Sequence, residues 1–154
     1  MPIALSPPGR PALELHFLLL DVNGTLANRG SLHDGVAERI GRLRSALNVR
    51  LVSADTFGTL DAIARALGLP ATRVGAGDAK LELVERLGRE RCAVIGNGAN
   101  DALALEAAGL GIAVIGREGA SAAALRSADV VCTSITDALD LLLDVDALVA
   151  TLRR

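Results

Sequence analysis

The chain has 154 residues and a mass of 15.8 kDa, a size at which a single domain buries roughly two-thirds of its unfolded surface. With 51% hydrophobic and 22% charged residues it is too apolar to be disordered, and none of its apolar runs approaches the ~20 residues that cross a bilayer. Sixteen basic and eighteen acidic side chains give a net charge of −2, with two phenylalanines as the only aromatics, so neither a phosphate-tracking groove nor a base-stacking surface is available, and neither nucleic acid nor a membrane is an expected partner.

Pro2, Pro7, Pro8, Gly9 and Pro11 make residues 1–12 read as an extended, poorly ordered tail. This segment lacks the basic start of a secretory signal, and a cytoplasmic protein is expected. From 13 to 154 short apolar runs alternate with stretches of helical period, the pattern of βα units in a single domain. Strands are expected over His16–Leu20, Val49–Val52, Arg73–Gly75, Ala93–Ile95, Ile112–Ile115 and Val130–Cys132. Asp34 is expected to cap a helix whose apolar face reads Val36, Ile40, Leu43 and Leu47, and Asp55 or Thr56 to cap the next. Gly68 and Gly88 stand where glycines end helices, a further helix spans Asn100–Gly109, and Thr136–Leu152 forms one helix or two. Cys92 and Cys132 lie in apolar runs without CxxC spacing and read as reduced core residues. The fold class this predicts is a three-layer α/β/α, Rossmann-like domain with a mainly parallel sheet.

In such a sheet ligands bind beyond the carboxyl ends of the strands. Four loops there carry polar residues: DVNGT at Asp21–Thr25, SADT at Ser53–Thr56, GDAK at Gly77–Lys80 and GNGAND at Gly96–Asp101. Asp21 follows three leucines directly, so a carboxylate sits at the tip of a buried strand, either accepting turn hydrogen bonds or serving chemistry. Ser53 ends the second strand, as a phosphate ligand or as a helix cap. Asn97 and Asp101 offer oxygens to a hard cation, although a carboxylate on the first turn of a helix is also a good N-terminal charge. Lys80 is the one lysine beside fifteen arginines. A flexible stem with a compact ammonium can bridge a carboxylate and a phosphate, which the rigid fork of arginine does less well.

Taken together, the four loops resemble the motifs of the haloacid dehalogenase (HAD) superfamily of phosphohydrolases and phosphotransferases. DVNGT is similar to the DxDGT nucleophile motif, Ser53 to the strand-two Ser/Thr, Lys80 to the third-motif lysine and GNGANDA to the GDGxND metal loop. The likeness runs from Leu13 to about Val131, and within the superfamily it leads to the phosphorylation domain of P-type ATPases and the small soluble proteins named after it. The resemblance implies an aspartyl-phosphate on Asp21, with Asn23, Ser53 and Lys80 in the catalytic set. It implies phosphate contacts from Asn23, Gly24, Ser53, Ala54 and Lys80, and Mg²⁺ held by Asp21, the Asn23 carbonyl, Asn97 and Asp101. The expected partner is a small phosphorylated substrate or phosphate. No cap domain is present, so only Asn28–His33, with Arg29 and His33, can lean over Asp21, and a homo-oligomer is expected to cover the site.

Two positions depart from the family pattern. Asn23 stands where the hydrolases have the aspartate that protonates the leaving group and activates water, which predicts slow turnover. Asn97 stands where the metal loop has aspartate, which predicts weakened Mg²⁺ binding. A catalytically impaired phosphate-binding, regulatory or assembly module is therefore the alternative reading. A dinucleotide site on GNGAND fits poorly, since the third glycine and the downstream ribose-binding acid are missing.

Overall fold

A computed structural model of the chain describes residues 1–54, 58–75 and 78–154. In chain order the elements are β1 (Ile3–Leu5), β2 (Leu13–Leu15), β3 (Phe17–Leu20), β4 (Ala27–Asn28), β5 (Ser31–Leu32), α1 (Val36–Leu43), β6 (Asn48–Ser53), α2 (Thr59–Leu67), β7 (Ala71–Arg73), α3 (Ala79–Leu87), β8 (Cys92–Gly96), α4 (Ala102–Ala107), β9 (Leu110–Val114), α5 (Ala122–Ser127), β10 (Val130–Cys132), α6 (Ile135–Leu143) and α7 (Val145–Leu152). Six strands form one parallel sheet in the order β10-β9-β8-β3-β6-β7. Its central strands read as continuous apolar runs because both faces are covered. Leu18, Leu20, Ala93 and Ile95 point into one core with α1, α2, α6 and α7, while Leu19, Cys92 and Val94 point into a second core with residues of α3, α4 and α5. These are the three layers expected, and no cap domain is evident among the described residues.

The boundaries follow from local chemistry. Helix α1 starts at Gly35, which is left-handed at φ 81°, and not at Asp34, whose expected capping role is not taken. Val36, Ile40 and Leu43 are buried on its inner face, and Leu47 is buried just after it. Gly68 and Gly88 end α2 and α3 at positive φ, as expected. The C-terminal stretch is two helices, because the Asp144 carboxylate accepts a hydrogen bond from Ala147 N and caps α7. Helix α5, too short to show a clear period, is capped by Ser121. The capping role read for Asp55 or Thr56, and Gly77 of the third loop, lie outside the described residues.

Two further expectations are corrected. Strand β7 lies at Ala71–Arg73 and not Arg73–Gly75, because this edge strand takes its register from β6, with Leu51 opposite Ala71 and Ser53 opposite Arg73. Residues 1–12 are extended but not a loose tail. Strand β1 pairs antiparallel with β2, and Ile3 and Leu5 enter the core beside α7. Arg154 N donates to Pro8 O, and Arg10 pairs with Asp129 at 2.6 Å, so both chain ends are laced to the domain. The prolines concentrate in the turn between β1 and β2, where lost N–H donors cost no ladder bonds.

Candidate functional site

Strands β3, β6 and β8 are adjacent and parallel, so the residues that follow them converge at one edge. Asp21 leaves β3 with its N–H bonded to Ile95 O. Ser53 closes β6 and is buried, with exposed Ala54 after it. Lys80 is the second residue of α3 and only 6% exposed, an unusual degree of burial for a lysine.

The ammonium of Lys80 donates to Asp21 Oδ1 at 3.0 Å and to Asp101 Oδ1 at 2.5 Å. Asp101 is 1% exposed, and its Oδ2 accepts the N–H groups of Asn97 (3.1 Å) and Gly98 (2.9 Å). The GNGAND loop therefore spends these N–H groups on its own carboxylate, which argues against a dinucleotide cradle there. A Cβ at Gly96 would lie 2.5 Å from Asp101 Cγ, so glycine is required for this close approach.

Burial pushes the Asp21 carboxyl up to about 6, helped by the charge of Asp101 and opposed by Lys80 and the Thr25 hydroxyl. For Lys80 burial works against the charge, yet Asp21 and Asp101 outweigh it and hold the ammonium above its ordinary value. Two carboxylates share one cation, so the buried group carries one formal negative charge when all three are ionised. A cavity of about 10 Å³, room for roughly one water, lies against Asp21, Lys80 and Asp101 among apolar neighbours such as Leu19 and Val94.

The DVNGT turn is tied to the fourth loop through Thr25. Its buried hydroxyl lies 3.1 Å from Asp21 Oδ2 and 3.3 Å from Asn97 Oδ1. Gly24 is left-handed at φ 81°, and a Cβ there would meet Glu118 Oε2 at 2.5 Å and Asn97 Nδ2 at 2.7 Å. Asn97 Nδ2 donates to Gly119 O at 3.2 Å, which brings the loop after β9 over the turn. The Asn23 amide points the other way and donates to Thr59 Oγ1 at 3.3 Å, on the first turn of α2. Sequence reasoning did not single out Thr25, Thr59 or Glu118 as site residues. Thr25 was legible within its motif, whereas nothing in spacing connects Thr59 or Glu118 to Asp21.

The segment Asn28–His33 is a small hairpin of β4 and β5, turned by Arg29 at φ 49° and Gly30. Beside it a cleft of about 530 Å³ opens, lined in part by Thr25, His33, Asp34, Arg117, Ser134 and Thr136.

A parallel sheet in a three-layer sandwich, with Asp21, Ser53 and Lys80 at or near its carboxyl edge, defines an open-sheet α/β protein. The chain belongs to the haloacid dehalogenase-like hydrolase family, whose model matches residues 9–109. It is 49% identical over 79 residues to an uncharacterised protein of Methanocaldococcus jannaschii, covering 49% of this chain and 85% of that protein. It is similar in fold to the 3-deoxy-D-manno-octulosonate 8-phosphate phosphatase of Moraxella catarrhalis, solved with magnesium and phosphate ions. That match has a TM-score of 0.67 and 21% identity over 90% of this chain and 94% of that one. A zinc-transporting PIB-type ATPase matches with a TM-score of 0.66 and 29% identity, over 79% of this chain and 20% of the ATPase. Among the described residues no helix is long and apolar enough to cross a membrane.

Proposed function

We propose that the protein is a phosphatase or phosphotransferase that uses a divalent cation, Mg²⁺, and works through an aspartyl-phosphate on Asp21. The observation that carries this reading is the buried bridge of Lys80 to Asp21 and Asp101, a costly arrangement whose charges have a use once a phosphate and a cation arrive. Asp21 Oδ would attack phosphorus while the bond from phosphorus to the leaving oxygen breaks. Lys80 and the Ser53 hydroxyl would neutralise the equatorial oxygens, with backbone N–H groups near Gly24 and Ala54. Water would then release phosphate and return the carboxylate.

The donors present fit Mg²⁺. Asp21 Oδ2 and Asn97 Oδ1 compete for the single proton of the Thr25 hydroxyl, so oxygen lone pairs are left over at that point. Among the described residues no three acidic, histidine or cysteine side chains gather as a metal cluster, and Mg²⁺ is commonly held by one or two carboxylates with several retained waters. Asp21, the Asn23 carbonyl, Asn97 and Asp101 would hold it. When bound, the cation supplies charge neutralisation on the transferring phosphoryl group.

Asn23 limits this chemistry. Its amide exchanges no proton and is bonded to Thr59, so leaving groups that depart without protonation, such as acyl phosphates, should be favoured and the phosphoenzyme should accumulate. The same amide favours the second reading, a phosphate-binding module without turnover. Incubation with Mg²⁺ and acetyl phosphate separates the two. Hydroxylamine-labile phosphoprotein that disappears in Asp21→Ala supports the enzyme, and the absence of both label and phosphate release at millimolar Mg²⁺ supports the module.

A further inference from the structure

We propose that Glu118 supplies the carboxylate that the fourth loop lacks at Asn97, holding a divalent cation together with Asp21 and Asn97. This inference rests on the metal-dependent reading above. The turn at Gly24 is open on one side because glycine has no Cβ, and the atoms that crowd the vacant position are Glu118 Oε2 and the Asn97 amide. A carboxylate from the loop after β9 has thus been brought to the side chain that departs from the metal-loop pattern.

Its placement is built into the backbone. Gly119 O accepts from Asn97 Nδ2, Ser121 N donates to Asn97 O at 2.8 Å, and Gly119 N closes the turn onto Gly116 O. Gly116 itself packs on the DVNGT turn, since a Cβ there would lie 3.2 Å from Gly24 O. The amide at Asn97 fastens this loop, a task an aspartate could not perform on a carbonyl, and the fastened loop carries Glu118. Among the described residues Glu118 has no hydrogen bond or ion pair that would commit its charge elsewhere.

Charge balance points the same way. Asp21, Asp101 and Lys80 together carry one formal negative charge, and Glu118 brings the set to two, matching a divalent cation. Glu118 would act as an outer carboxylate beside the oxygens of Asp21 and Asn97. Loss of such an outer contact costs about 10- to 100-fold in metal affinity.

The test is binding of Mg²⁺ by titration calorimetry, and of Mn²⁺ by electron paramagnetic resonance, to the full chain and to Glu118→Gln. Glu118 is exposed, so the metal-free variant should melt as wild type does. Binding should weaken about tenfold or more, and Asn97→Asp added to Glu118→Gln should restore it. A dissociation constant within about twofold of wild type, or a loss that Asn97→Asp does not repair, overturns the role of Glu118 alone. Failure of the wild-type chain to bind either ion overturns the metal-dependent reading and this inference with it.

Discussion

The Nζ of Lys80, on the first turn of α3, stands 3.0 Å from Oδ1 of Asp21 at the end of β3, across 59 residues of sequence. Both side chains are at most 10% exposed, so neither charge is relieved by bulk water. Replacing Lys80 by methionine leaves Asp21 and Asp101 facing each other without a cation. Folding stability should fall by about 3–5 kcal/mol in urea titrations above pH 7. Lys80→Arg should not recover phosphoprotein formation, because a planar fork cannot take the place of a point charge shared by two carboxylates and a phosphate.

Asn23→Asp reintroduces a group able to exchange a proton. Phosphate release should rise by about 10²- to 10⁴-fold, and the steady-state phosphoprotein should decline as its hydrolysis accelerates. Quench-flow measurement of phosphoenzyme lifetime checks this. An unchanged lifetime would show that proton exchange at this position is not what limits turnover.

Gly24→Ala should be damaging out of proportion to its size. The backbone there is left-handed at φ 81°, and the new methyl would stand 2.7 Å from Asn97 Nδ2. Left-handed strain alone costs about 1–2 kcal/mol, and the displaced Asn97 amide would loosen the loop that carries Glu118. Urea unfolding should report the first effect, and weaker Mn²⁺ binding the second.

The raised carboxyl of Asp21 gives a pH dependence with a definite sign. Its native value of about 6, against 3.8 for the ordinary group, means that the folded protein holds this proton more tightly than the unfolded chain. The resulting stability is complete below about pH 3.8 and is lost as pH rises through about 6. At about 1.4 kcal/mol per pH unit the upper bound is about 3 kcal/mol. In metal-free protein, the stability difference between wild type and Asp21→Asn should therefore shift against wild type from about pH 4 to pH 7. A difference flat across that range would show that Asp21 titrates normally.

Much of this was legible along the chain. The short apolar runs place five of the six sheet strands, and the glycines after Leu67 and Leu87 mark helix ends, because burial and backbone freedom act locally. The DVNGT and GNGAND loops carried the family resemblance, and family membership and the parallel-sheet fold agree with it. The edge strand β7 was misplaced since its register is set by a neighbour, and the N-terminal segment since proline content said nothing of Ile3 and Leu5 finding the core.

The sequence by itself determined the class of fold and the residue types that converge at the strand ends, Asp21, Ser53, Lys80, Asn97 and Asp101. Only the tertiary structure decided how their charges are shared. It joins Lys80 to two carboxylates at once, turns Asn23 toward Thr59, and sets Glu118 against Gly24. Those contacts span the sheet or separate loops, and their distances depend on strand order and loop packing, which no local pattern of residues encodes.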